Sequence, residues 1–238
     1  GLDATEDSFR RIVFDANMHK ILKHNKDYAS GLVSWWMKPT QFTDRTEEEF
    51  KESFGYNSMQ AKASRAHLSI FQQPTSLSVS NSVDRFSIDW TNNMPKVANQ
   101  GQCGSCWAFA TAATISGRMS VELNDPQPDF VSPQQITSCA PNPNKCGGTG
   151  GCNGATVQIG FDYVHNAGGI ALDSDYSYTS AGGQSGVCED EQHKSQFKYQ
   201  VGGYQQVIPN NKTDLLLALQ SGPVAISVAA ASWSFYGG

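Results

Sequence analysis

Asn99-Gln100-Gly101-Gln102-Cys103-Gly104-Ser105-Cys106-Trp107-Ala108-Phe109 leads into an alanine-rich run, 105–121, with scattered large apolar residues. That composition predicts a helix buried on most sides, with Ser105 as its cap. Cys106 then falls at a helix N-terminus. Free backbone N–H groups and the helix dipole there favour an anion, which predicts a thiol pKa lowered toward the reactive thiolate. A thiolate beside an imidazolium can attack a peptide carbonyl and form an acyl-enzyme. The oxyanion so created needs donors already aimed at it. Gln100 is placed to offer a side-chain amide, and Cys106 its own backbone N–H.

Three plainer readings compete. Cys103 and Cys106 form a C-x-x-C, but no βαβ pattern precedes it as a thioredoxin-like redox pair would require. Cys139, Cys146 and Cys152 lie nearby in sequence but lack the paired C-x₂-C spacing of a zinc site, so no metal is expected. A lone buried cysteine is most often structural, and only the flanking residues shift that balance.

Upstream, residues 72–83 turn to Gln, Pro, Ser, Thr and Asn and read as an accessible linker. Before it, 6–28 predicts an amphipathic helix with an apolar stripe of Phe14, Met18, Ile21 and Leu22, an i,i+4 pair of Glu6 and Arg10, and a stop at Gly31. Thr46 and Glu49 form a capping box for a second helix. Downstream, Ser132-Pro133-Gln134-Gln135 starts a helix with Pro in its first turn and Gln135 closing a capping box. Val157, Gly160, Phe161 and Val164 keep a helical period that Gly168-Gly169 ends. Short β-like runs follow at 197–201 and 224–228, with one more helix over 213–220 between them. Helices first and strands later predict an α+β body of two lobes.

All six cysteines lie between 103 and 188, so residues 1–80 have none. Residues 1–80 balance ten Lys/Arg against ten Asp/Glu. Residues 81–238 carry seven against twelve and supply the whole net charge of -5. No basic patch serves a nucleic-acid partner. No apolar run approaches the ~20 residues a membrane helix needs. The chain begins at Gly1 rather than Met, which reads as a removed secretory signal or a shortened N-terminus. The sequon Asn211-Lys212-Thr213 fits a secretory route and makes Asn211 a candidate glycosylation site.

Cys103-Gly104-Ser105-Cys106-Trp107 matches the C-G-[SA]-C-[WY] signature of papain and the cathepsins. Cys152-Asn153-Gly154 resembles that family's segment at the substrate cleft, and Asp89-Trp90 resembles the start of its mature enzymes. Glu6, Arg10, Phe14, Asn17, Ile21 and Asn25 reproduce the spaced ERFNIN pattern of cathepsin L-like propeptides. Phe42 and Asp44 match a second leader motif, in which Lys38 and Thr40 replace the usual Gly and Asn. From about residue 6 to 238 the chain is therefore similar to papain-like cysteine protease precursors.

The resemblance implies a papain-like two-lobe fold, a helical lobe plus an incomplete β-barrel lobe, preceded by a helical prodomain. Residues 1–80 would be the inhibitory propeptide, cut within 72–83, and 81–238 the peptidase domain. It implies disulfides Cys103–Cys152 and Cys139–Cys188, leaving Cys146 unpaired in a Gly/Asn/Pro-rich loop over 140–151. Gly154, Ala155, Thr156 and Val157, with Ser227, would bind substrate, with Ala155 where relatives commonly have Gly, which narrows the allowed φ/ψ. Small and aliphatic walls imply an apolar side chain next to the scissile residue. The resemblance implies no cofactor, peptide or protein substrates, the chain's own propeptide and cystatin-type inhibitors as partners, a monomer, and a lysosomal, vacuolar or extracellular destination.

Catalysis in this family also needs a histidine and an orienting asparagine about 130–150 residues after the cysteine. His19, His24 and His67 lie in the leader, and His165 and His193 follow Cys106 by only 59 and 87 residues. None has the expected context, so the 238 residues are expected to be inactive alone and cut within the second lobe. The other function class in play is a non-catalytic relative, or a propeptide-like inhibitor of cysteine proteases.

Overall fold

The computed structural model describes residues 3–52, 55–64, 87–230 and 232–238. The linker at 72–83, the boundary near residue 80 and His67 lie outside the described residues. Contacts divide the chain into two compact units, 1–53 with 227–238, and 54–226.

In the first unit, helix α1 spans Ala4–Ala29. Asp3 caps it by accepting from the Thr5 N–H at 2.6 Å, and Glu6 and Asp7 complement the dipole in the first turn. The helix ends before Gly31, whose φ of +72° suits a residue without a Cβ. The expected apolar stripe is narrower than its spacing suggests. Ile21 is buried and Met18 packs against Ile21, Met37 and Phe235, whereas Phe14 is 40% exposed and Leu22 56%.

Polar side chains do much of the fastening. Arg10 donates to both Glu49 carboxylate oxygens at 2.7 Å, and to Glu6 at 2.7 Å. Asn17 donates to the carbonyls of Thr43 and Arg45, each at 2.9 Å. Asn25 reads both backbone groups of Met37 at 2.8 Å. Glu49 belongs to helix α2, Glu47–Glu52, where the Thr46–Glu49 capping box forms reciprocally at 2.8 and 3.2 Å. Residues 36–38 pair in antiparallel fashion with 235–238 through Trp36 N–H to Gly238 O, Gly237 N–H to Trp36 O and Lys38 N–H to Phe235 O.

The second unit is built around α4, Cys106–Leu123, packed by α5 (Pro133–Cys139) and α6 (Val157–Ala167). Trp107, Ala108, Ala112 and Ile115 meet Val131, Ile136, Tyr163, Val164 and Ile170 in one apolar cluster. The α4–α6 approach is close because Gly160 faces Thr111. A Cβ at Gly160 would lie 2.9 Å from the Thr111 methyl. Ser132 caps α5 through the Gln135 N–H at 2.9 Å, with Pro133 following. Gln135 does not close a capping box, because its amide is spent on the Tyr163 hydroxyl and the Ala171 N–H, while the Ser132 N–H bonds the Ala171 carbonyl. Gly168 ends α6 at φ +80°.

The other α-helices among the described residues are α3 (Ser58–Ala63), α7 (Asp190–His193) and α8 (Lys212–Gln220). The β-like runs do not become strands among the described residues. Run 197–201 makes one bridge, Tyr199 with Ile170, and 224–228 makes none. A strand needs a neighbour over several residues, and Gly202-Gly203 turns the first run away after that single pairing, with Gly203 at φ +126°. No helix among the described residues is long and apolar enough to cross a membrane.

Candidate active site

Cys106 is the first residue of α4 and is half-buried. Ser105 is the N-cap residue, but its side chain does not cap. Its hydroxyl is instead engaged with the Tyr178 hydroxyl at 2.7 Å. The backbone N–H groups of Cys106 and Trp107 pull the Cys106 pKa down, yet burial outweighs them and pushes the thiol above its ordinary range. The expectation of a lowered pKa is thus corrected. The helix N-terminus is present, but desolvation of the sulfur is the larger effect.

The loop before the helix is held at several points. Gln100 donates its side-chain amide to the Cys103 carbonyl at 2.7 Å, which leaves its second amide hydrogen for another acceptor. Its own carbonyl accepts from the Tyr178 hydroxyl at 2.9 Å. Gly101, at φ +67°, lies so close to Ala181 that no Cβ fits, and the Gln102 N–H bonds the Ala181 carbonyl at 2.8 Å. Cys103 is joined to Cys152, and Cys139 to Cys188. The Gly104 N–H bonds the Cys152 carbonyl at 2.9 Å, and Trp107 Nε1 donates to the Gly151 carbonyl at 3.1 Å. Segment 151–154 is thereby fixed along the head of α4.

Residues 55–64 lie on that segment. A Cβ on Gly55 would come within 2.7 Å of the Gly154 nitrogen, so the two backbones are in direct contact. Two residues on, the Asn57 N–H bonds the Gly147 carbonyl at 2.7 Å while its side chain caps α3. Ser64, at the end of α3, places its carbonyl 4.0 Å from the Cys146 sulfur, which is fully buried.

The expected substrate walls are distributed unevenly. Gly154 is buried at φ +83°, and Ala155 is 0% exposed within the apolar cluster. Ala155 is not among the positive-φ residues, so its Cβ causes no strain there. Thr156 is buried, Val157 is half-buried at the start of α6, and Ser227 is exposed in the first unit. His165 engages the Val201 carbonyl at 2.9 Å. His193 stacks on Tyr176 at 4.3 Å and meets Gln196 at 2.8 Å. In the leader, His24 bonds the Trp35 carbonyl at 3.0 Å, and His19 is exposed on α1.

Cys139, Cys188 and Asp190 cluster as metal ligands would, but the two sulfurs are bonded to each other and only a carboxylate is left to offer. Asn211 is exposed and caps α8 by accepting from the Asp214 N–H at 3.0 Å. Sequence reasoning missed Tyr178 and Ala181. Their contacts with the Gln100 loop span about 80 residues of chain, and no local pattern announces them.

The family model of papain family cysteine proteases matches residues 85–238, and that of the cathepsin propeptide inhibitor domain matches residues 3–50. A cathepsin L-like proteinase of Phaedon cochleariae is 32% identical over 98% of this chain and 67% of its own length. Procathepsin L of Mus musculus is 30% identical over 97% of this chain and 65% of its own. The chain thus spans about two thirds of the length of these relatives. Its fold is similar to that of a digestive procathepsin L 3 from the larval midgut of Tenebrio molitor, with a TM-score of 0.70 at 24% identity, over 92% of this chain and 65% of that one.

Proposed function

The chain belongs to the papain family of cysteine proteases, and on that premise we propose that it is part of the precursor of a cathepsin L-like endopeptidase with Cys106 as nucleophile. One observation carries the reading. The Cys106 thiol stands at the head of a buried helix, with the tethered Gln100 loop on the same framework and the Gly154 strip overlain by leader backbone.

In the reaction the Cys106 sulfur attacks the substrate carbonyl carbon. The C=O π electrons move onto oxygen, and collapse of that intermediate breaks the C–N bond to leave a thioester, the amine departing with the proton that a base has taken from the thiol. The Cys106 N–H and the remaining Gln100 amide hydrogen are the donors for the oxyanion. The raised thiol pKa means that the thiol rests protonated, so a base must take the proton. None of the five histidines is assigned that role. His165 and His193 are engaged in local contacts, and His19, His24 and His67 belong to the leader.

Residues 1–80 act as the inhibitory leader and 81–238 as the peptidase part, with processing within 72–83. Backbone contact of Gly55 with Gly154 supports inhibition by occupation of the strip a substrate would use. Thr156 and Val157 remain the candidates for contact with an apolar substrate side chain. The substrates are peptides and proteins, cystatin-type inhibitors are further partners, and the protein works as a monomer on the secretory route, in a lysosome, vacuole or outside the cell. Asn211 carries an N-glycan there, because its exposed amide nitrogen is open to modification while Oδ1 keeps capping α8.

Hydrolysis of a fluorogenic peptide by acid-processed full-length protein and by Cys106→Ala tests the reading. Loss of turnover in the variant is expected, with substrate binding kept. Turnover that survives in Cys106→Ala would overturn it.

A further inference from the structure

The Tyr178 side chain sits between the two parts of the candidate site that must keep a fixed spacing. Its hydroxyl donates to the Gln100 carbonyl at 2.9 Å and meets the Ser105 hydroxyl at 2.7 Å. With the phenolic hydrogen on Gln100, Ser105 is the donor of the second bond. The ring packs edge-on against Phe109 in the first turn of α4, with centroids 4.7 Å apart. Asp173 accepts from the Tyr178 backbone N–H, and the next residue, Thr179, bonds the buried Gln134 side chain at 2.8 Å. Burial keeps the phenol neutral and therefore able to donate. Ala181, three residues on, holds the Gln102 N–H.

From this geometry we propose that Tyr178 is a positioning residue for the oxyanion donors, a proposal that rests on the protease reading above. Its hydroxyl clamps the Gln100 loop to the N-cap of the helix that carries Cys106. It thereby sets the separation between the Gln100 amide and the Cys106 N–H without touching substrate itself. The clamp also explains why Ser105 gives up the cap that its position would otherwise supply. Donor placement of this kind acts on the oxyanion, not on the sulfur.

Two reagents separate these effects on the acid-processed full-length protein. N-acetylglycinal adds the Cys106 thiol across its carbonyl. The C–S bond forms, the C=O π bond opens, and the thiol proton ends on the new oxygen, which occupies the oxyanion position. Iodoacetamide alkylates the same sulfur by displacing iodide and forms no oxyanion. Tyr178→Phe, which removes only the hydroxyl, is expected to weaken aldehyde binding about tenfold while the alkylation rate of Cys106 changes by less than about twofold. Ser105→Ala keeps the Tyr178–Gln100 bond and is expected to weaken aldehyde binding about threefold, again without changing alkylation. It decides the matter alone if Tyr178→Phe does not fold. Equal losses toward both reagents would mean a merely structural role and overturn the proposal, as would unchanged aldehyde binding. Failure of the unsubstituted, acid-processed protein to bind the aldehyde would overturn the protease reading itself, and is distinguishable because it precedes any substitution.

Discussion

The head of α4 and the loop over 140–151 each carry a thiol outside the disulfides, and their surroundings differ. Cys106 is half-buried, with the N–H groups of a helix start beside its sulfur and the Gln100 loop tethered next to it. Cys146 is fully buried, with its backbone N–H taken by the Asn142 side chain at 2.8 Å and its carbonyl by the Thr156 N–H at 3.0 Å. One thiol is backed by donors that an anion can use. The other has its own backbone N–H and carbonyl already bonded, and its sulfur faces the Ser64 carbonyl at 4.0 Å. Placement on the framework, more than thiol chemistry, distinguishes a nucleophile from a packing residue.

The largest effect expected from breaking this contrast is on the framework. The Cys103–Cys152 bridge closes a sequence separation of 49 and ties the Gln100 loop to segment 151–154. Replacing both cysteines by serine is expected to cost about 4 kcal/mol of stability on the chain-entropy account, read by urea denaturation. Cys106 should also lose its reactivity advantage over Cys146. An unchanged midpoint would show that the loop is held by its hydrogen bonds alone.

A smaller effect concerns the leader. Arg10, with help from the Thr46 N–H, holds the Glu49 carboxyl down at about 2 from its ordinary 4.5. A depressed carboxyl contributes stability above its unfolded pKa and loses it as pH falls. The Arg10–Glu49 pair is therefore intact above pH 4.5 and is lost between there and about pH 2. Glu49→Gln is expected to cost the leader up to about 1 kcal/mol at pH 7 and almost nothing at pH 2. Hydrogen exchange of α1 at the two pH values checks this, and an equal cost at both would assign Glu49 a role other than its charge.

The smallest effect is expected at Cys146 itself. Cys146→Ala removes a buried sulfur at a cost of about 1 kcal/mol, and should leave the alkylation rate of Cys106 within experimental error. A slowed Cys106 would show that the two thiols are coupled.

What the sequence made legible was local. The helix at Cys106, the Thr46–Glu49 box, the Pro133 start and the Gly168 stop each rest on residues within a few positions of one another. What it concealed was the spending of the same groups at long range. Ser105 looks like a cap until Tyr178, 73 residues away, takes its hydroxyl. Gln135 looks like a capping-box partner until Tyr163 and Ala171 engage it. Phe14 and Leu22 follow the apolar period of α1 yet remain exposed, while Arg10, Asn17 and Asn25 bind residues on other elements. The raised Cys106 pKa escaped for a related reason. Position on a helix can be read from sequence, whereas burial of the sulfur depends on the whole packed unit.

Mass mapping of the two thiols in acid-processed full-length protein after brief treatment with a peptidyl epoxide tests the central claim most directly. The account predicts an adduct on Cys106 with Cys146 unmodified, at a rate that climbs with pH because the Cys106 thiol rests protonated. An adduct on Cys146, or equal labelling of both, would contradict it.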